Sequence, residues 1–367
     1  MVVRVAHITT AHARGEVRVF LKECLSLAHD YEVHLIVADG LGHATVRNVQ
    51  IHDAGVARGR FQRMLVLPWR IWLLTVKLRA RLYHLHEPEL LLIALLLRMS
   101  GARVVYDSHE DVPRAILSRD WIQPSLRRII STVFEHFENF VARRISAVIG
   151  ATPHIAKRFA AVNKLAVAIN NYPLASEISS PVVSSGSERT FCYIGAISRN
   201  RGIFEMVSAL EFADARLILA GPFDSGALRG EVGKLPGWAR VDYRGVVSRE
   251  AVLGIMAQSR AGLLLFHPEP NHVDAQPNKM FEYMGAGLPV IASDFLLWKQ
   301  IIDGAQCGVQ VDPMNAREIA DAMRRIYEHP VDAVAMGRRG RKAVEETYNW
   351  DHEAAKLMAH YEKLLAA

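Results

Sequence analysis

Short runs of consecutive apolar residues alternate along this chain with longer segments in which apolar residues recur every three or four positions. Consecutive apolar runs are typical of strands buried on both faces, and the wider spacing is typical of helices that bury one face. Helical patterns such as Val17–Ala28 and Leu126–Arg144 lie between the strands. This alternation favours parallel sheets with helices on both faces. The predicted strands are Val3–Ile8, Glu32–Val37, Leu82–Leu85, Arg103–Tyr106, Ala147–Gly150, Ala166–Asn170, Thr190–Ile194, Arg216–Leu219, Val241–Tyr243, Gly262–Phe266, Pro289–Ala292 and Gly308–Val311.

The alternation runs through the chain twice, and a segment rich in Ser, Pro and Gly, residues 176–188, separates the two series. A chain of 367 residues is longer than one hydrophobic core usually organises. We therefore predict an α/β protein with two Rossmann-like domains. The predicted division is residues 1–175 for the N-terminal domain, 176–188 for a linker, 189–347 for the C-terminal domain and 348–367 for a C-terminal helix.

Composition indicates a globular protein without disulfides. Apolar residues make up 50% of the chain and charged residues 22%, as in ordinary globular domains. Three cysteines (Cys24, Cys192 and Cys307) are far apart, and neither a Cys-x-x-Cys motif nor a Cys/His cluster occurs. We therefore expect no disulfide framework, no zinc site and a reducing cytoplasm. The N-terminus resembles a strand and not a signal peptide, and the longest apolar run, Leu90–Leu97, is far shorter than the roughly 20 residues that span a bilayer.

Basic residues are concentrated in one segment. The net charge is +6, and residues 58–81 contain seven Arg or Lys residues and no Asp or Glu. Trp69, Trp72 and several leucines lie among them. This composition is typical of a segment at a membrane surface, but a helix with one buried side and one solvated basic side has the same pattern. Both interpretations stay open. The chain carries no recognised nucleic-acid-binding motif, so nucleic acid is not an expected partner.

The strongest local pattern is the segment Asp274–Ser293. Asp274 precedes Glu282 by eight positions, and Glu282 lies at the head of an apolar, helix-prone run that Gly287–Pro289 ends. Free N–H groups at a helix start attract phosphate, and a carboxylate one turn further in can accept hydrogen bonds from ribose. An ordinary loop–helix–strand unit has the same outline, so the acidic spacing alone does not decide.

With Pro277–Lys279 and Phe281–Tyr283 around it, this segment resembles the donor-site signature of retaining glycosyltransferases of family 4, here with Asp for the usual first Glu. Tyr83–Leu90, Tyr106–Asp111 and Tyr193–Gly202 resemble the same family, so the resemblance covers nearly the whole chain. It implies the GT-B fold: two Rossmann-like domains face each other across a cleft, and the C-terminal helix crosses back to the first domain. The first domain is then expected to bind the acceptor and the second the nucleotide sugar.

The resemblance also implies roles for residues of the C-terminal domain. Glu282 is expected to hold the ribose, and Asp274 to contact the hydroxyl groups of the donor sugar, although Asp is one methylene shorter than the family's Glu. The family often has an Arg where this chain has Ala196, and Arg199 is a candidate replacement. The expected donor-binding residues are Gly195, Arg199, Arg201, Arg244, Gly245, Val246, Asn278, Lys279 and Glu282.

In the N-terminal domain, His109 occupies the family position that contacts the donor's phosphate and sugar. His109 and Asp274 are therefore the expected catalytic residues, and the carboxylates next to His109 can orient or protonate it. Arg18 either binds an anionic acceptor or pairs with Glu16 or Glu23. Two histidines either line the acceptor side or pack against the His109 loop. The expected acceptor-side residues are Arg14, Gly15, Arg18, His84, His86 and Glu110.

The functional hypothesis is a metal-independent retaining glycosyltransferase, because the chain has no Asp-x-Asp triplet to hold a cation on a diphosphate. No cofactor and no metal are expected. The expected donor is a nucleotide-diphosphate sugar, with a UDP-sugar favoured over GDP-mannose, and the expected acceptor is a glycan or a polyprenyl-linked glycan in bacterial surface polysaccharide synthesis. The expected location is the cytoplasm, or the inner face of the plasma membrane if residues 58–81 bind it. Two alternatives stay open: a nucleotide-sugar 2-epimerase of the same fold, and a non-catalytic module that binds nucleotide sugar or membrane.

Overall fold

The computed structural model describes residues 2–57, 59, 62, 66–119, 121–178 and 189–366. The chain divides into two compact units. Unit 1 is Met1–Asn171 together with Trp350–Ala367, and unit 2 is Tyr172–Asn349. Each unit is built around one sheet of mainly parallel strands with helices between them.

The sheet of unit 1 has the strand order β3-β4-β2-β1-β5-β6-β7-β8. Its strands are β1 Arg4–Ile8, β2 Glu32–Val37, β3 Ala44–Val46, β4 Val49–Asp53, β5 Leu82–Leu85, β6 Arg103–Ser108, β7 Ala147–Gly150 and β8 Ala166–Ala168. A π-helical segment, Val17–Cys24, continues into α1, and a 3₁₀ turn, Pro88–Leu90, precedes α3. The helices are α1 Leu25–Leu27, α2 Leu67–Leu78, α3 Leu91–Met99, α4 Val112–Leu117, α5 Pro124–Ala142 and α6 Pro153–Ala160.

The sheet of unit 2 has the order β11-β10-β9-β12-β13-β14. Its strands are β9 Thr190–Ile194, β10 Arg216–Ala220, β11 Val241–Gly245, β12 Gly262–Leu264, β13 Val290–Ser293 and β14 Gly308–Val311. Short 3₁₀ turns occur at Ala175–Glu177, Arg199–Arg201 and Pro236–Arg240. The helices are α7 Ile203–Ala213, α8 Gly226–Val232, α9 Arg249–Ala257, α10 Asn278–Gly285, α11 Leu296–Ala305, α12 Ala316–Glu328 and α13 Pro330–Glu346.

The antiparallel hairpin of β3 and β4 was not predicted from the sequence. Only Val49 and Ile51 of this hairpin are buried, so it lacks a continuous apolar run. Its turn residues, Arg47 and Asn48, have positive φ angles of 47° and 65° without a glycine. The sequence of this hairpin therefore has neither the apolar pattern nor the glycine-containing turn that usually predicts a hairpin. No helix among the described residues is both long and apolar enough to cross a membrane.

The last helix, α14 (Trp350–Ala366), belongs to unit 1. The indole Nε1 of Trp350 donates to Ser26 Oγ at 2.9 Å, and Glu353 accepts from the backbone N–H of Asn170 at 2.9 Å. The chain enters unit 2 at Tyr172, whose ring packs against Phe281 with centroids 4.8 Å apart. This entry point lies before the predicted linker, of which residues 179–188 lie outside the described part of the chain.

Each sheet has one point where the strand order changes direction. In unit 1, β2 extends the sheet on one side of β1 and β5 on the other; in unit 2, β10 and β12 flank β9 in the same way. Loops that leave the carboxyl ends of the two strands at such a point separate and open a crevice, which is where α/β sheets bind ligands. We therefore expect the ligand-binding residues of each unit near these strand ends.

Candidate active site

In unit 2, the turn that follows β9 requires glycine at its end. Gly202 has a φ of 75°, and a Cβ there would lie 2.1 Å from the carbonyl oxygen of Leu265. The turn thus packs directly on the chain that leaves β12. The backbone N–H of His267 also donates to Asn200 O at 2.8 Å. These contacts join the Gly195–Gly202 turn to the loop after β12 at the carboxyl edge of the sheet.

Two arginines of this turn have different surroundings. Arg201 donates from Nη1 to Ala196 O at 3.4 Å, and its guanidinium lies 5.2 Å from the Phe266 ring centroid. Arg199 instead donates to Glu231 and stacks over Phe204 at 4.2 Å. The structure therefore places the Arg201 guanidinium beside the backbone of the turn, whereas Arg199, the candidate replacement at position 196, is engaged elsewhere.

Asp274 lies half-buried at the end of the turn that follows the β12 loop. The loop is fixed on both sides of this residue. Trp298 Nε1 donates to Ala275 O at 2.7 Å, and His272 Nδ1 lies 3.2 Å from His267 O. Burial lowers the pKa of His272 from its ordinary value, so the ring is neutral at pH 7. The loop is thus a packed segment that can hold a carboxylate in position.

Helix α10 begins at Asn278 after an extended Pro277, and no side chain caps its start. In its first turn, Lys279 Nζ donates to Glu282 Oε2 at 2.6 Å. Both side chains line a cavity of about 250 Å³ in unit 2. The other lining residues are Glu177, Val247, Arg249, Val252, Leu253 and Met256.

Two charged residues of this cavity were not predicted from the sequence. Arg249 Nη2 lies 3.1 Å from Glu177 Oε1, and this ion pair forms part of the cavity wall. Arg249 is the first residue of α9 after its Ser248 cap, a position that carries no motif. Glu177 comes from the segment assigned to the linker. Only the tertiary fold brings the two together.

The segment after β11 divides into two parts. Gly245 has a φ of 66°, its carbonyl accepts from Gly221 N–H at 2.7 Å, and Val246 is 77% exposed. These residues belong to the carboxyl edge. Arg244 pairs with Asp242 and lines a separate cavity with Thr190 and Arg216, the first residues of β9 and β10. Its guanidinium therefore lies toward the amino ends of the strands, and the structure does not bring it together with Lys279 and Glu282.

In unit 1, Arg18 is buried among carboxylates. It donates to Asp107 from Nε at 3.1 Å and from Nη2 at 2.9 Å, and its Nε lies 3.1 Å from Glu23 Oε1. Its Nη1 donates to Ile169 O at 3.0 Å. Of the two alternatives that the sequence left open, the structure shows the ion pair, with Asp107 as an additional partner. These partners engage the Arg18 guanidinium inside unit 1, and an acceptor-binding role for Arg18 stays a prediction without a supporting contact.

His84 and His86 are also buried, and they do not form an open acceptor surface. His84 Nδ1 lies 2.7 Å from Tyr361 OH, and His86 Nδ1 lies 3.3 Å from His109 Nε2. Burial lowers the pKa of His86 to about 4 and that of His84 well below its ordinary value. Both rings are therefore neutral at pH 7. The alternative in which they pack behind the His109 loop is the one that the structure shows for His86.

His109 is the partly exposed member of this group. Its Nε2 lies 3.0 Å from Asp107 Oδ2, and 19% of its side chain is exposed. Burial alone would raise the pKa of Asp107, but Arg18 and then His109 hold it well below its usual range. Asp107 is therefore an anion that orients His109. The neighbouring Asp111 instead faces Arg158 and His154, at 3.7 and 3.5 Å.

The remaining acceptor-side candidates lie on loops. The Arg14 guanidinium donates two hydrogen bonds of 2.7 Å to Asp39 and is thereby held within unit 1. A Cβ on Gly15 would have no atom within 4 Å, so its surroundings are open. Glu110 is exposed and lies 3.4 Å from Arg119. Of these three residues, Gly15 and Glu110 are accessible to a ligand.

Glu87, the second residue after β5, was not singled out from the sequence. Its buried carboxylate accepts hydrogen bonds from Thr9 Oγ1, from Thr10 N–H at 2.9 Å and from Ala11 N–H at 3.2 Å. These contacts hold the loop after β1 against the end of β5. Burial raises the pKa of Glu87 to about 7 from its ordinary 4.5, despite the hydrogen bonds.

This shift predicts a pH dependence of stability. Between pH 4.5 and about 7, folded Glu87 keeps a proton that the unfolded chain releases. The contribution of Glu87 to the free energy of unfolding therefore falls with rising pH, by about 3 kcal/mol across this window. Urea unfolding of wild type and Glu87→Gln at several pH values measures it. The difference between them should change across the window. A pH-independent difference would contradict the shifted pKa.

Comparison with solved structures agrees with this architecture. Sucrose-phosphate synthase from Thermosynechococcus elongatus is 18% identical, with a TM-score of 0.82 and coverage of 99% of both chains. Anabaena HepE in complex with UDP is 14% identical, with a TM-score of 0.74 over 98% of this chain and all of that one. Both are GT-B glycosyltransferases. The predicted GT-B fold is confirmed.

Sequence comparison then decides the class. A family described as "Glycosyl transferase-like" matches residues 199–359, which include Arg201, the Asp274 loop and α10. Phosphatidyl-myo-inositol mannosyltransferase of Mycobacterium tuberculosis is 25% identical over 299 residues, 76% of this chain and 72% of that protein. The chain is a glycosyltransferase similar to family 4. The resemblance inferred from the four sequence segments is thereby confirmed, and the residues of this glycosyltransferase can be assigned as proposals.

Proposed function

We propose that this glycosyltransferase binds a nucleotide-diphosphate sugar at the carboxyl edge of the unit 2 sheet and transfers the sugar with retention, without a metal on the diphosphate. The observation that supports this most is the cavity at the start of α10, where Lys279 and Glu282 lie side by side with a 2.6 Å contact. A cation for phosphate and a carboxylate for ribose are both present at a helix start.

The parts of the donor follow from this arrangement. Glu282 accepts from the ribose hydroxyls, Lys279 and the first-turn N–H groups meet the diphosphate, and Arg201 meets it from the turn after β9. Asp274 contacts the sugar. The departing diphosphate gains negative charge in the transition state, and these fixed positive groups stabilise it. Gly245 and the exposed Val246 approach the base.

In unit 1, His109 is the proposed catalytic residue. Asp107 holds its Nε2 at 3.0 Å, which leaves Nδ1 to meet a substrate oxygen. The acceptor hydroxyl attacks from the face of the departing diphosphate, which takes up its proton, so an α-donor gives an α-linkage. A 2-epimerase would instead form product without acceptor, and a non-catalytic module would bind nucleotide sugar without turnover. Incubation with donor alone separates these alternatives.

The donor site is tested by thermal unfolding with UDP, GDP, UDP-glucose and GDP-mannose, with and without EDTA. Some relatives are named as mannosyltransferases and HepE was solved with UDP-glucose, so both bases are included. A nucleotide at a hundredfold excess over Kd stabilises by about 2.7 kcal/mol. The shift should persist in EDTA and shrink in Glu282→Ala, with the exposed Glu231→Ala as control. Equal shifts in the two variants, or none with any nucleotide, would refute the site.

The proposed acceptor is a glycan on a lipid carrier, presented at a membrane. Helix α2 buries Leu67, Ile71 and Thr75, while its outer face exposes Trp69, Leu73 and Val76 at 62%, 47% and 52%. Exposed apolar residues beside Arg70, Lys77 and Arg79 favour the membrane interpretation of the basic segment over the solvated one. Residues Arg58, Arg60, Phe61, Arg63, Met64 and Leu65 of that segment lie outside the described residues.

Sedimentation with anionic liposomes tests this contact. Trp69→Glu with Leu73→Glu should weaken binding by about 100-fold, because each large apolar side chain contributes about 1.5–3 kcal/mol when buried in lipid. A matched control is Ile129→Glu with Val133→Glu, which alters a second exposed apolar stripe, on α5. If the α5 variant loses binding and the α2 variant keeps it, the α2 assignment is wrong. Equal activity on a lipid-free glycan would refute the lipid-linked acceptor.

A further inference from the structure

Three imidazoles and one carboxylate converge at the switch point of the unit 1 sheet. His7 comes from β1, His84 from β5, His86 from the residue after β5, and Glu23 from the π-helical segment. All four are buried. The proposed donor chemistry uses none of them.

Their coordinating atoms form a compact group. Glu23 Oε2 lies 3.7 Å from His7 Nδ1, 4.0 Å from His84 Nε2 and 3.9 Å from His86 Nε2. His7 Nδ1 lies 3.0 Å from His86 Nε2, and the four ligand atoms all lie within 4.8 Å of one another. A tetrahedral zinc ion with bonds of about 2.0–2.1 Å needs ligand atoms about 3.3 Å apart. The distances from Glu23 Oε2 are longer than this and the His7–His86 distance is shorter, so a bound ion would draw the carboxylate inward and move those two rings slightly apart.

Polar atoms aimed at the centre of this group have no hydrogen-bond partner. Glu23 Oε2 and His84 Nε2 are in this state, and both are fully buried; the nearest other carboxylate to His84 Nε2 is Asp107, at 3.8 Å. Glu23 Oε1 is engaged by Arg18, whereas Glu23 Oε2 lies 3.7–4.0 Å from the three histidines, too far for hydrogen bonds. Buried polar atoms without partners cost free energy. A cation at the centre would satisfy the atoms that face it.

The other nitrogen of each ring already has a partner outside the group. His84 Nδ1 and His7 Nε2 lie 2.7 and 3.2 Å from Tyr361 OH, and His86 Nδ1 lies 3.4 Å from Asp107 Oδ2. Histidines that bind metals usually donate their outer N–H to such a partner, which fixes the ring and the nitrogen that faces the metal. Each histidine therefore has one ring nitrogen that faces the centre of the group and another that is held by a partner outside it.

We infer that His7, His84, His86 and Glu23 bind one divalent transition-metal ion, of which Zn²⁺ best matches three imidazoles and a carboxylate. This site is distinct from the proposed diphosphate site, which lies in unit 2 and uses no metal. The ion joins β1, β5 and the π-helical segment, and through Tyr361 it also fixes α14. It also holds the His86 proton on Nδ1, toward Asp107. His86 is therefore a positioning residue for Asp107 and His109.

The direct test is the metal content of protein purified without a histidine tag or chelator. Wild type should contain about one zinc equivalent per chain, and its uptake after chelation should release protons. Glu23→Gln and His84→Gln should lower the affinity by about tenfold or more. His34→Gln is a matched control, because His34 is equally buried in the same sheet but lies against His52 at 2.8 Å. It should keep the metal.

Chelation of wild type provides a second measurement that does not depend on variants. Removal of the ion should lower the unfolding temperature, and Zn²⁺ should restore it. Co²⁺ in its place should give the absorption of a tetrahedral site. Wild type with no bound transition metal, no uptake from added Zn²⁺ and no stabilisation by it would overturn the inference and leave a buried proton network. Nucleotide shifts measured in chelated protein test the donor site separately, so failure of one proposal does not imply failure of the other.

Discussion

Replacement of Arg201 by Gln is expected to lower kcat/KM by about a thousandfold, with most of the loss in kcat. Arg201 is held at the turn by Ala196 O and by the Phe266 ring, at 3.4 and 5.2 Å. A positive charge fixed there needs no reorganisation when the diphosphate leaves. The variant is therefore expected to destabilise the transition state and to leave ground-state binding of the donor largely unchanged.

Arg199→Gln is the matched control, because it removes the same group from the same turn. Its guanidinium pairs with the exposed Glu231, so we expect activity within about threefold of wild type. Steady-state kinetics with saturating acceptor and thermal unfolding of each variant make the measurement. A loss in Arg199→Gln as large as in Arg201→Gln would contradict the assignment of the diphosphate contact to Arg201 alone. A rise in KM without a fall in kcat would show instead that Arg201 contributes to ground-state binding of the donor.

Arg18→Met is expected to reduce the free energy of unfolding by about 3–5 kcal/mol, the usual cost of removing one partner from a buried ion pair. The variant leaves the carboxylates of Asp107 and Glu23 buried without their cation, and Ile169 O without its donor. Met fills much of the same volume, so lost packing contributes little. Urea unfolding at pH 7 measures the change.

Two further variants test this explanation. Asp107→Asn in the Arg18→Met background should restore part of the stability, because one uncompensated charge is removed, and a double-mutant cycle gives the coupling. Arg14→Met removes an arginine with two equally short bonds to Asp39, but its side chain is 20% exposed, so we expect a loss of about 1 kcal/mol. Equal losses of unfolding free energy in Arg14→Met and Arg18→Met would contradict the explanation that burial makes the Arg18 ion pair the costlier one to break.

Much of the fold could be predicted because local pattern and tertiary environment agree. Parallel strands buried on both faces are mostly apolar along their length, so β2, β5, β7 and β9 were located residue for residue. The hairpin of β3 and β4 was missed because it lies at the sheet edge, where one residue in two can be polar. The hairpin joins the sheet through β4, which pairs with β2, a strand that is distant in the sequence.

The site was less predictable, because sequence indicates which residue types are present but not where they point. The segment at Asp274–Ser293 is local: a loop, a helix start and a strand follow directly along the chain, so Lys279 and Glu282 could both be placed at the helix start from the sequence. Arg199 and Arg201 lie in the same short turn of the sequence. Their different surroundings, Glu231 for Arg199 and Phe266 for Arg201, are visible only in the structure.

By itself, then, the sequence determined the two α/β series and the glycosyltransferase class, and it predicted a donor segment at α10. These follow from periodicity and from contacts between residues close in the chain. The tertiary structure alone decided that Arg18, His84 and His86 are buried, that Glu177 lines the same cavity as Lys279 and Glu282, and that His7 meets Tyr361 across 354 positions of sequence. Strand order and helix docking set such contacts, and both depend on the folding of the whole unit.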